Sequence, residues 1–283
     1  MSKINREKKN NKWNISENEE VKRYYLLGNK FLEQRNFQEA IIYYKKALEI
    51  DPQDILTLSN LGRAYHHSYV LQSSTKDLSL LDNSEDCYLE ATKIDPNFWL
   101  SYFTLGVIKI ERKEFLKALT YHLKFLTVYE KAKVISFKMY NHATNYILES
   151  IKKGKISVES FKKLLNISIS KEIWTLLGYG LLHNQLYESA ELCFLKVIKK
   201  HPDYSSGYID LGNVYMEMIK NIPDYCPDLN KIKKYLKKAV ELDTNNEIAW
   251  NNLGTYYTFV DDFEKAKFCY ISFFIVSFQS FFI

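Results

Sequence analysis

The sequence lacks the common motifs of catalytic and metal sites. Its four cysteines show no Cys-x-x-Cys spacing, which argues against a zinc site or a disulfide framework. Its six histidines are scattered, without a His-Glu-x-x-His pair, and there is no phosphate-binding glycine loop and no nucleophile elbow. We therefore expect no enzyme activity, no cofactor and no metal.

The N-terminus also lacks the apolar segment of a signal peptide, so we expect a cytoplasmic protein with reduced cysteines. The formal charge is only +5, which falls short of the strongly basic stripe of a nucleic-acid-binding protein. Residues 1–17 carry five lysines and arginines and little apolar content. This composition predicts a disordered basic arm.

Glycine is scarce, but its placement is regular. Six of the nine glycines directly follow a leucine, and they are Gly28, Gly62, Gly106, Gly178, Gly212 and Gly254. Their spacings are 34, 44, 72, 34 and 42 residues, and a period near 34 is typical of helix-turn-helix repeats. Apolar residues four and one before each glycine, and three after it, form one stripe on a first helix. An alanine and an aromatic residue follow on a second helix, for example Ala190 and Phe194.

This pattern resembles the tetratricopeptide repeat family. The resemblance implies an all-α, right-handed superhelical solenoid of about seven helix-turn-helix repeats, in which small residues let paired helices approach closely. The solenoid spans residues 18–283. Its repeats are predicted at about 21–54, 55–98, 99–132, 134–170, 171–204, 205–246 and 247–283. The fourth is degenerate, with Ala143 in the place of the glycine.

The second and sixth repeats are longer than the others. Inserts at about 66–83 and 216–231 account for the extra length, and we expect them to extend from turns, where added residues cost only loop-closure entropy. Gly28, Gly62 and Gly106 have counterparts 150, 150 and 148 residues later, and these are Gly178, Gly212 and Gly254. We infer that a block of about four repeats was duplicated, with the inserts at corresponding points.

Two residue types occupy packing positions. Cys87, Cys193 and Cys269 each precede the aromatic residue of a second helix, which predicts that they are small buried residues. His122 stands where other repeats have that aromatic residue, and we expect it to be packed and hydrogen-bonded.

The face of each first helix opposite the apolar stripe is where binding is expected. In the family this face lines a concave groove. The candidate peptide-binding residues on it are Asn29, Asn60, Arg63, Tyr179, Asp210, Asn213 and Asn252. An amide both donates and accepts hydrogen bonds, which suits the backbone of an extended peptide. The alternative is that these residues are solvated and have no role.

These observations favour a non-catalytic protein–protein interaction scaffold that presents its groove to a peptide or helix of a partner protein. Two alternatives stay open. The chain could be the N-terminal repeat portion of a larger enzyme or membrane-associated complex, or it could bind RNA weakly through the lysines of 152–163 and 231–238.

Chaperone-binding members of the family hold a C-terminal carboxylate between two asparagines and several basic residues. Asn29 and Asn60 match the asparagines. Tyr25, Leu100 and Thr104 stand where lysine or arginine would be needed. We therefore expect no strong chaperone-tail clamp.

Residues 268–283 are uncharged and apolar on every side of a helix. Such a helix requires burial all round, which indicates a truncated array, self-association or burial against a partner. A membrane anchor is disfavoured, because sixteen helical residues span about 24 Å and the hydrocarbon core is about 30 Å thick.

Overall fold

The computed structural model describes residues 14–72, 76–132, 136–222 and 228–281, apart from the side chains of residues 137 and 279–281. Within these ranges the chain forms fourteen helices and no strand, which confirms the all-α prediction. The helices are α1 Glu19–Glu33, α2 Phe37–Ile50, α3 Ile55–Leu71, α4 Leu78–Ile94, α5 Trp99–Glu111, α6 Phe115–Lys131, α7 Phe137–Gly154, α8 Val158–Leu164, α9 Lys171–His183, α10 Tyr187–Lys200, α11 Ser205–Asn221, α12 Leu229–Leu242, α13 Glu247–Phe259 and α14 Phe263–Phe281. Most of the predicted basic arm, up to residue 13, lies outside the described residues.

The helices belong to two compact units, Met1–Ile156 (unit 1) and Ser157–Ile283 (unit 2). Each unit contains three pairs of consecutive helices in contact, α1–α2, α3–α4 and α5–α6 in unit 1 and α9–α10, α11–α12 and α13–α14 in unit 2. Helix α7 packs against α6, and the short α8 packs against α10. The right-handed coiling of the whole array stays a prediction.

Polar side chains fix where the helices begin. The Asn18 side chain accepts hydrogen bonds from the backbone N–H groups of Glu20 and Val21, and Asp54 accepts one from Thr57. Such caps satisfy backbone donors that have no partner inside the helix. Three of the five prolines, Pro52, Pro96 and Pro202, lie in the turns before α3, α5 and α11, where a residue that cannot continue a helix is suited.

In each of the five repeats that are predicted without an insert, one residue with a positive φ follows the first helix. These residues are Arg35, Lys113, Lys155, Gln185 and Asp261, with φ between 46° and 60°. The next backbone N–H then bonds back to the carbonyl five residues earlier, from Asn36 to Phe31 and from Leu186 to Leu181, both at 2.9 Å. This Schellman geometry satisfies the last carbonyls of the helix. It turns the chain sharply, so that the second helix returns along the first.

Each repeat glycine lies beneath a bulky side chain of the second helix. A Cβ atom added to Gly28, Gly62, Gly178 or Gly254 would lie 2.5–2.8 Å from the ring of Tyr44, Tyr88, Phe194 or Tyr270, respectively. The partner of Gly106 is His122, and that of Gly212 is Leu236. All six glycines are buried. The prediction that small residues allow close helix approach is therefore confirmed.

The two units share one helix register. Helices α2 and α3 recur as α10 and α11 with both ends 150 residues later, and α5 recurs as α13 with both ends 148 residues later. Helices α3 and α11 each have 17 residues, compared with 13 in α5, α9 and α13. The inserts thus act at corresponding points, as the duplication requires. Most of their residues are helical rather than part of a turn, because they extend the first helix and, in α4, the second.

Burial of the three cysteines confirms their packing role. Cys87, Cys193 and Cys269 are free thiols between 0 and 8% exposed. Burial raises the pKa of Cys87 to about 12 and that of Cys269 to about 11. A buried neutral thiol is a poor nucleophile, so these residues contribute to packing alone.

His122 is packed as predicted, but the expected hydrogen bond is not formed. The ring is fully buried and stacks on Tyr146 with centroids 5.1 Å apart. Neither ring nitrogen has a hydrogen-bond partner within the described part of the chain. Burial lowers the pKa of His122 to about 4, against a weaker opposing effect of the Ala118 backbone one turn earlier. The imidazole therefore takes the place of an aromatic ring and stays neutral.

Helix α14 covers α13 with one face only. Ala266 and Cys269 are buried on that face. A stripe on the other face stays between 49 and 67% exposed, and it consists of Phe268, Ile271, Phe274, Ile275 and Phe278. No helix in the described ranges is long and apolar enough to cross a membrane.

Candidate peptide-binding surfaces

The seven predicted binding residues form two groups, one in each unit. Asn29, Asn60 and Arg63 lie on α1 and α3 of unit 1. The residues in unit 2 are Tyr179, Asp210, Asn213 and Asn252, on α9, α11 and α13. Within a unit, consecutive first helices are in contact, α1 with α3 and α11 with α13. Residues at equivalent places in neighbouring repeats therefore come together.

In unit 1, Asn60 connects two repeats through its amide. Its Nδ2 donates to Asn29 Oδ1 at 2.9 Å and to Tyr25 Oη at 3.1 Å. Asn29 Oδ1 also accepts a hydrogen bond from Tyr44 Oη at 2.7 Å. Tyr44 is also the residue that covers Gly28. The network therefore connects both asparagines to the seam, by which we mean the contact between each repeat glycine and the bulky side chain of the second helix. None of the described hydrogen bonds uses Asn29 Nδ2 or Asn60 Oδ1, which leaves one donor and one acceptor for a ligand.

Arg63 lies one turn further along α3, beside a cleft of about 400 Å³ that we call the unit 1 cleft. The cleft is lined by Leu32, Glu33, Arg35, Phe37, Arg63, His67, Val70 and Leu71. His67 stacks on Phe37 with ring centroids 5.4 Å apart. Burial lowers the pKa of His67, and the neighbouring side chains of His66, Arg63 and Arg35 lower it further. The cleft thus combines apolar walls with a cationic side.

In unit 2, Tyr179 and Asp210 form a hydrogen bond between adjacent first helices. Tyr179 Oη donates to Asp210 Oδ1 at 2.5 Å. Asp210 is only 1% exposed, and its Oδ2 has no partner within the described ranges. Burial raises the pKa of Asp210 to about 6, although the bond from Tyr179 acts in the opposite direction. Asp210 can therefore influence a ligand only through Tyr179, whose ring is 46% exposed.

Asn213 and Asn252 form the second polar pair of unit 2. Asn252 Nδ2 donates to Asn213 Oδ1 at 2.7 Å. The remaining Nδ2 of Asn213 and Oδ1 of Asn252 take part in none of the described hydrogen bonds. As in unit 1, one amide pair keeps a free donor and a free acceptor, the combination that a peptide group requires.

The Asn213–Asn252 pair lies on the wall of a larger cleft, the unit 2 cleft, with a volume of about 880 Å³. Tyr179 lines it as well. Its other lining residues are Leu182, His183, Gln185, Tyr187, Met216, Glu217, Ile219, Lys220, Asn221, Asn251, Thr255 and Phe259. The volume falls within the range of about 300–1,000 Å³ that is usual for ligand pockets. Three of the four predicted residues of this unit therefore share one cleft.

Sequence reasoning missed most of the residues that line the clefts. One signal was available: the position five residues after the repeat glycine belongs to the same polar stripe as the predicted residues. Five of the six such positions, Glu33, His67, His183, Glu217 and Phe259, line a cleft, and the sixth, Glu111, lines neither of the two. The residues at the start of the second helix, Phe37 and Tyr187, lie outside that stripe. They line the clefts only because the turn brings them beside the next repeat.

The described residues contain no group of three or more histidine, cysteine, aspartate and glutamate side chains that could hold a metal ion. The two clefts offer hydrogen bonds, apolar contact and charge to a ligand.

Comparison with known proteins identifies the repeat. Residues 21–54 match the family model described as Tetratricopeptide repeat. These residues are a tetratricopeptide repeat. The match covers α1 from Val21 onwards, all of α2 and the turn that leads to α3. The other five helix pairs reproduce its seam, with a small residue on the first helix beneath a large one on the second.

Curated relatives of this repeat protein belong to different functional classes. It is 23% identical over 284 residues to human Protein O-mannosyl-transferase TMTC3, a match that covers 82% of this chain and 29% of that protein. It is 32% identical over 103 residues to the Hsp70-Hsp90 organising protein of Plasmodium falciparum, covering 28% of this chain and 41% of the relative. The chain thus spans less than half the length of either relative.

Solved structures that this chain resembles include the complex described as TPR2AB-domain:pHSP90-complex of yeast Sti1. It is 18% identical to this chain and covers 92% of it, the match extends over 91% of the Sti1 chain, and the TM-score is 0.39.

Proposed function

We propose that this tetratricopeptide repeat protein is a non-catalytic, cytoplasmic scaffold whose grooves bind an extended peptide or helix of a partner protein. The observation that carries the proposal is the Asn213–Asn252 pair on the wall of the unit 2 cleft. Its free amide donor and acceptor are fixed by the 2.7 Å bond between the two side chains. A preorganised pair costs less entropy on binding than two mobile side chains.

The composition of the unit 2 cleft indicates a largely uncharged ligand. Gln185, Asn221 and Asn251 add further amides, while Met216 and Ile219 supply apolar surface. Its single lysine and single glutamate carry opposite charges, so neither sign of ligand is favoured. An extended peptide fits this combination, because its backbone bonds to the amides and an apolar side chain contacts the cleft.

Unit 1 offers a similar amide pair but no clamp for a C-terminal carboxylate. Tyr25 contributes a neutral hydroxyl, which is already bonded to Asn60. The Thr104 hydroxyl donates to the Leu100 carbonyl of its own helix at 3.1 Å. With no cation at these three positions, a terminal carboxylate would lose its hydration without gaining an ion pair. Binding of a chaperone tail with micromolar affinity, lost on Asn60→Ala, would contradict this part of the proposal.

A peptide-display selection tests the proposal. We expect the chain to select short peptides with an apolar residue and little charge. The double variant Asn213→Ala/Asn252→Ala should weaken their binding by about tenfold or more, because each lost hydrogen bond leaves a desolvated peptide group unpaired. Asn230→Ala, an exposed asparagine on α12 outside the cleft, is the matched control and should bind as the parent does. Equal affinity of all three proteins for the selected peptides would overturn the proposal.

A second candidate function is that of a repeat portion within a larger enzyme or membrane-associated complex. The alignment of 82% of this chain with part of human TMTC3 favours it. Sequencing of the transcript across the codon for residue 283 tests this candidate. A reading frame that continues into a catalytic or membrane domain would support it, and a stop codon at that point would remove it.

A further inference from the structure

The two clefts occupy equivalent places in the duplicated units. Every one of the eight residues that line the unit 1 cleft has its counterpart, 150 positions later, among the residues that line the unit 2 cleft. Phe37 corresponds to Tyr187, and Arg63 corresponds to Asn213. Because helices α3 and α11 have the same register, the same walls recur with different side chains.

In each cleft, part of the wall comes from the first helix of a repeat with an insert, which is longer than the first helix of the other repeats. Helices α5, α9 and α13 end five residues after their glycine, whereas α3 and α11 continue for nine. The additional turn of α3 carries Val70 and Leu71 beside the turn between α1 and α2, where they form one wall. Both are exposed, at 45 and 59%. The additional turn of α3 therefore adds an exposed apolar wall to the unit 1 cleft.

The unit 1 cleft and the unit 2 cleft differ in charge. In unit 1 the chain has Arg35 and Arg63 where unit 2 has the neutral Gln185 and Asn213. None of the described ion pairs involves Arg35 or Arg63. Glu33 is the only carboxylate among the eight lining residues, so the fixed charges of the unit 1 cleft sum to a positive value. The lowered pKa of His67, caused in part by both arginines, reports the same local excess of positive charge.

We propose that the unit 1 cleft is a second binding site, selective for an internal acidic segment of a partner polypeptide that carries one apolar side chain. Arg35 and Arg63 pair with the acidic side chains of the ligand, and an arginine fork matches the two oxygens of a carboxylate. Phe37, Val70 and Leu71 receive the apolar side chain. The two units then bind different segments, acidic in unit 1 and neutral in unit 2.

This inference deepens the proposed function, since it names the ligand of one of its grooves, but it depends on different residues. The amide pairs carry the binding of neutral peptides. Arg35 and Arg63 of the unit 1 cleft carry the binding of acidic peptides, and a free C-terminal carboxylate is not required. Loss of one activity therefore does not imply loss of the other.

Fluorescence anisotropy with two short peptides, both acetylated and amidated, tests the proposal. One places aspartate and glutamate around a single leucine, and the other has asparagine and glutamine in their place. We expect the acidic peptide to bind about tenfold more tightly at low ionic strength, with the advantage reduced by salt, because exposed ion pairs are screened.

The duplication supplies matched variants for this experiment. Arg35→Gln/Arg63→Asn gives unit 1 the side chains that unit 2 already has at those positions, so the fold accommodates them. We expect this variant to lose the preference for the acidic peptide. The reciprocal Gln185→Arg/Asn213→Arg variant should gain a second acidic site, seen as a doubled stoichiometry. Unchanged melting temperatures would exclude unfolding as the cause.

Three results would overturn the inference. The first is equal binding of the acidic and neutral peptides by the parent protein. The second is an acidic preference that survives in Arg35→Gln/Arg63→Asn but disappears in Asn60→Ala, which would place the site at the amide pair. The third is a single-stranded oligonucleotide that displaces the acidic peptide at a lower concentration than the unlabelled peptide does, which would indicate a nucleic-acid site.

Discussion

The ring of Phe194 lies directly over Gly178. A Cβ atom at Gly178 would lie 2.6 Å from Phe194 Cζ, and both residues are buried. At this distance the ring and the helix backbone are already in contact, so any side chain at position 178 must push the two helices apart. The same contact in the other five repeats makes the glycine the feature that fixes helix spacing along each unit.

The first prediction concerns this contact. Gly178→Ala should reduce the free energy of unfolding by about 1–3 kcal/mol, because overpacking of a buried seam outweighs the better helix propensity of alanine. Gly180→Ala is the matched control on the same helix, two residues later and only half-buried. It should increase stability by up to about 1 kcal/mol. Urea denaturation followed by circular dichroism measures both changes. A Gly178→Ala protein as stable as the parent would show that the seam can expand.

The second prediction concerns the left-handed residue at the end of α5. Lys113 has a φ of 60°, a conformation that is unfavourable for a residue with a side chain but accessible to glycine. Lys113→Gly should therefore raise the free energy of unfolding by about 0.5–1 kcal/mol. Lys113→Val should lower it, since a β-branched side chain tolerates this conformation least. Thermal melting of both variants measures the effect, and an unchanged or reversed order would contradict the assigned backbone strain.

These two positions show how far the sequence determines the fold. Gly178 could be identified because its spacing from other glycines, and from an alanine and an aromatic residue, follows directly from helix packing. Lys113 could not, since glycine or asparagine usually ends a helix in this way, and here lysine, arginine, glutamine and aspartate do so. Local composition therefore gave no signal for the turn.

The binding surfaces, too, could be predicted from the sequence only in part. The polar stripe on the first helices predicted Asn213 and Asn252, which form one pair, and Tyr179 on the same cleft. It could not predict that the inserts would extend α3 and α11 instead of forming loops, because helix length depends on packing against neighbouring helices as well as on propensity. Part of the wall of each cleft depends on that extension, so the clefts could be identified only in the structure.

The third prediction concerns the exposed stripe of α14. Phe268, Ile271, Phe274, Ile275 and Phe278 present a contiguous apolar surface, and such patches favour association. We expect the isolated chain to self-associate in a concentration-dependent manner. Ile271→Ser/Phe274→Ser should shift sedimentation velocity profiles towards the monomer. Leu116→Ser, which removes an equally exposed leucine from α6 in unit 1, should leave the profile unchanged. A monomeric parent at all concentrations would show that this stripe does not mediate self-association.

The fourth prediction concerns the ionisation of Asp210. Burial raises its pKa to about 6, whereas an aspartate in the unfolded chain has a pKa of about 3.9. Between these values the native protein holds more protons than the unfolded chain, so the contribution of Asp210 to the free energy of unfolding falls as the pH rises from 4 to 6. Above pH 6 the native state carries a buried carboxylate, and this cost is present in full.

Asp210→Asn removes that cost and retains an oxygen that can accept the bond from Tyr179. Asn60, the corresponding residue of unit 1, already has an amide at this place. We expect the variant to exceed the parent by on the order of 2 kcal/mol at pH 7.5, and by much less at pH 4. Comparing variant with parent at each pH cancels the contributions of other groups, such as His122. Asp203→Asn, at an exposed position in the turn before α11, corrects for the change in net charge. A difference between variant and parent that does not grow with pH would mean that Asp210 is ionised in the folded protein without penalty, and that the Tyr179 hydroxyl alone compensates for its burial.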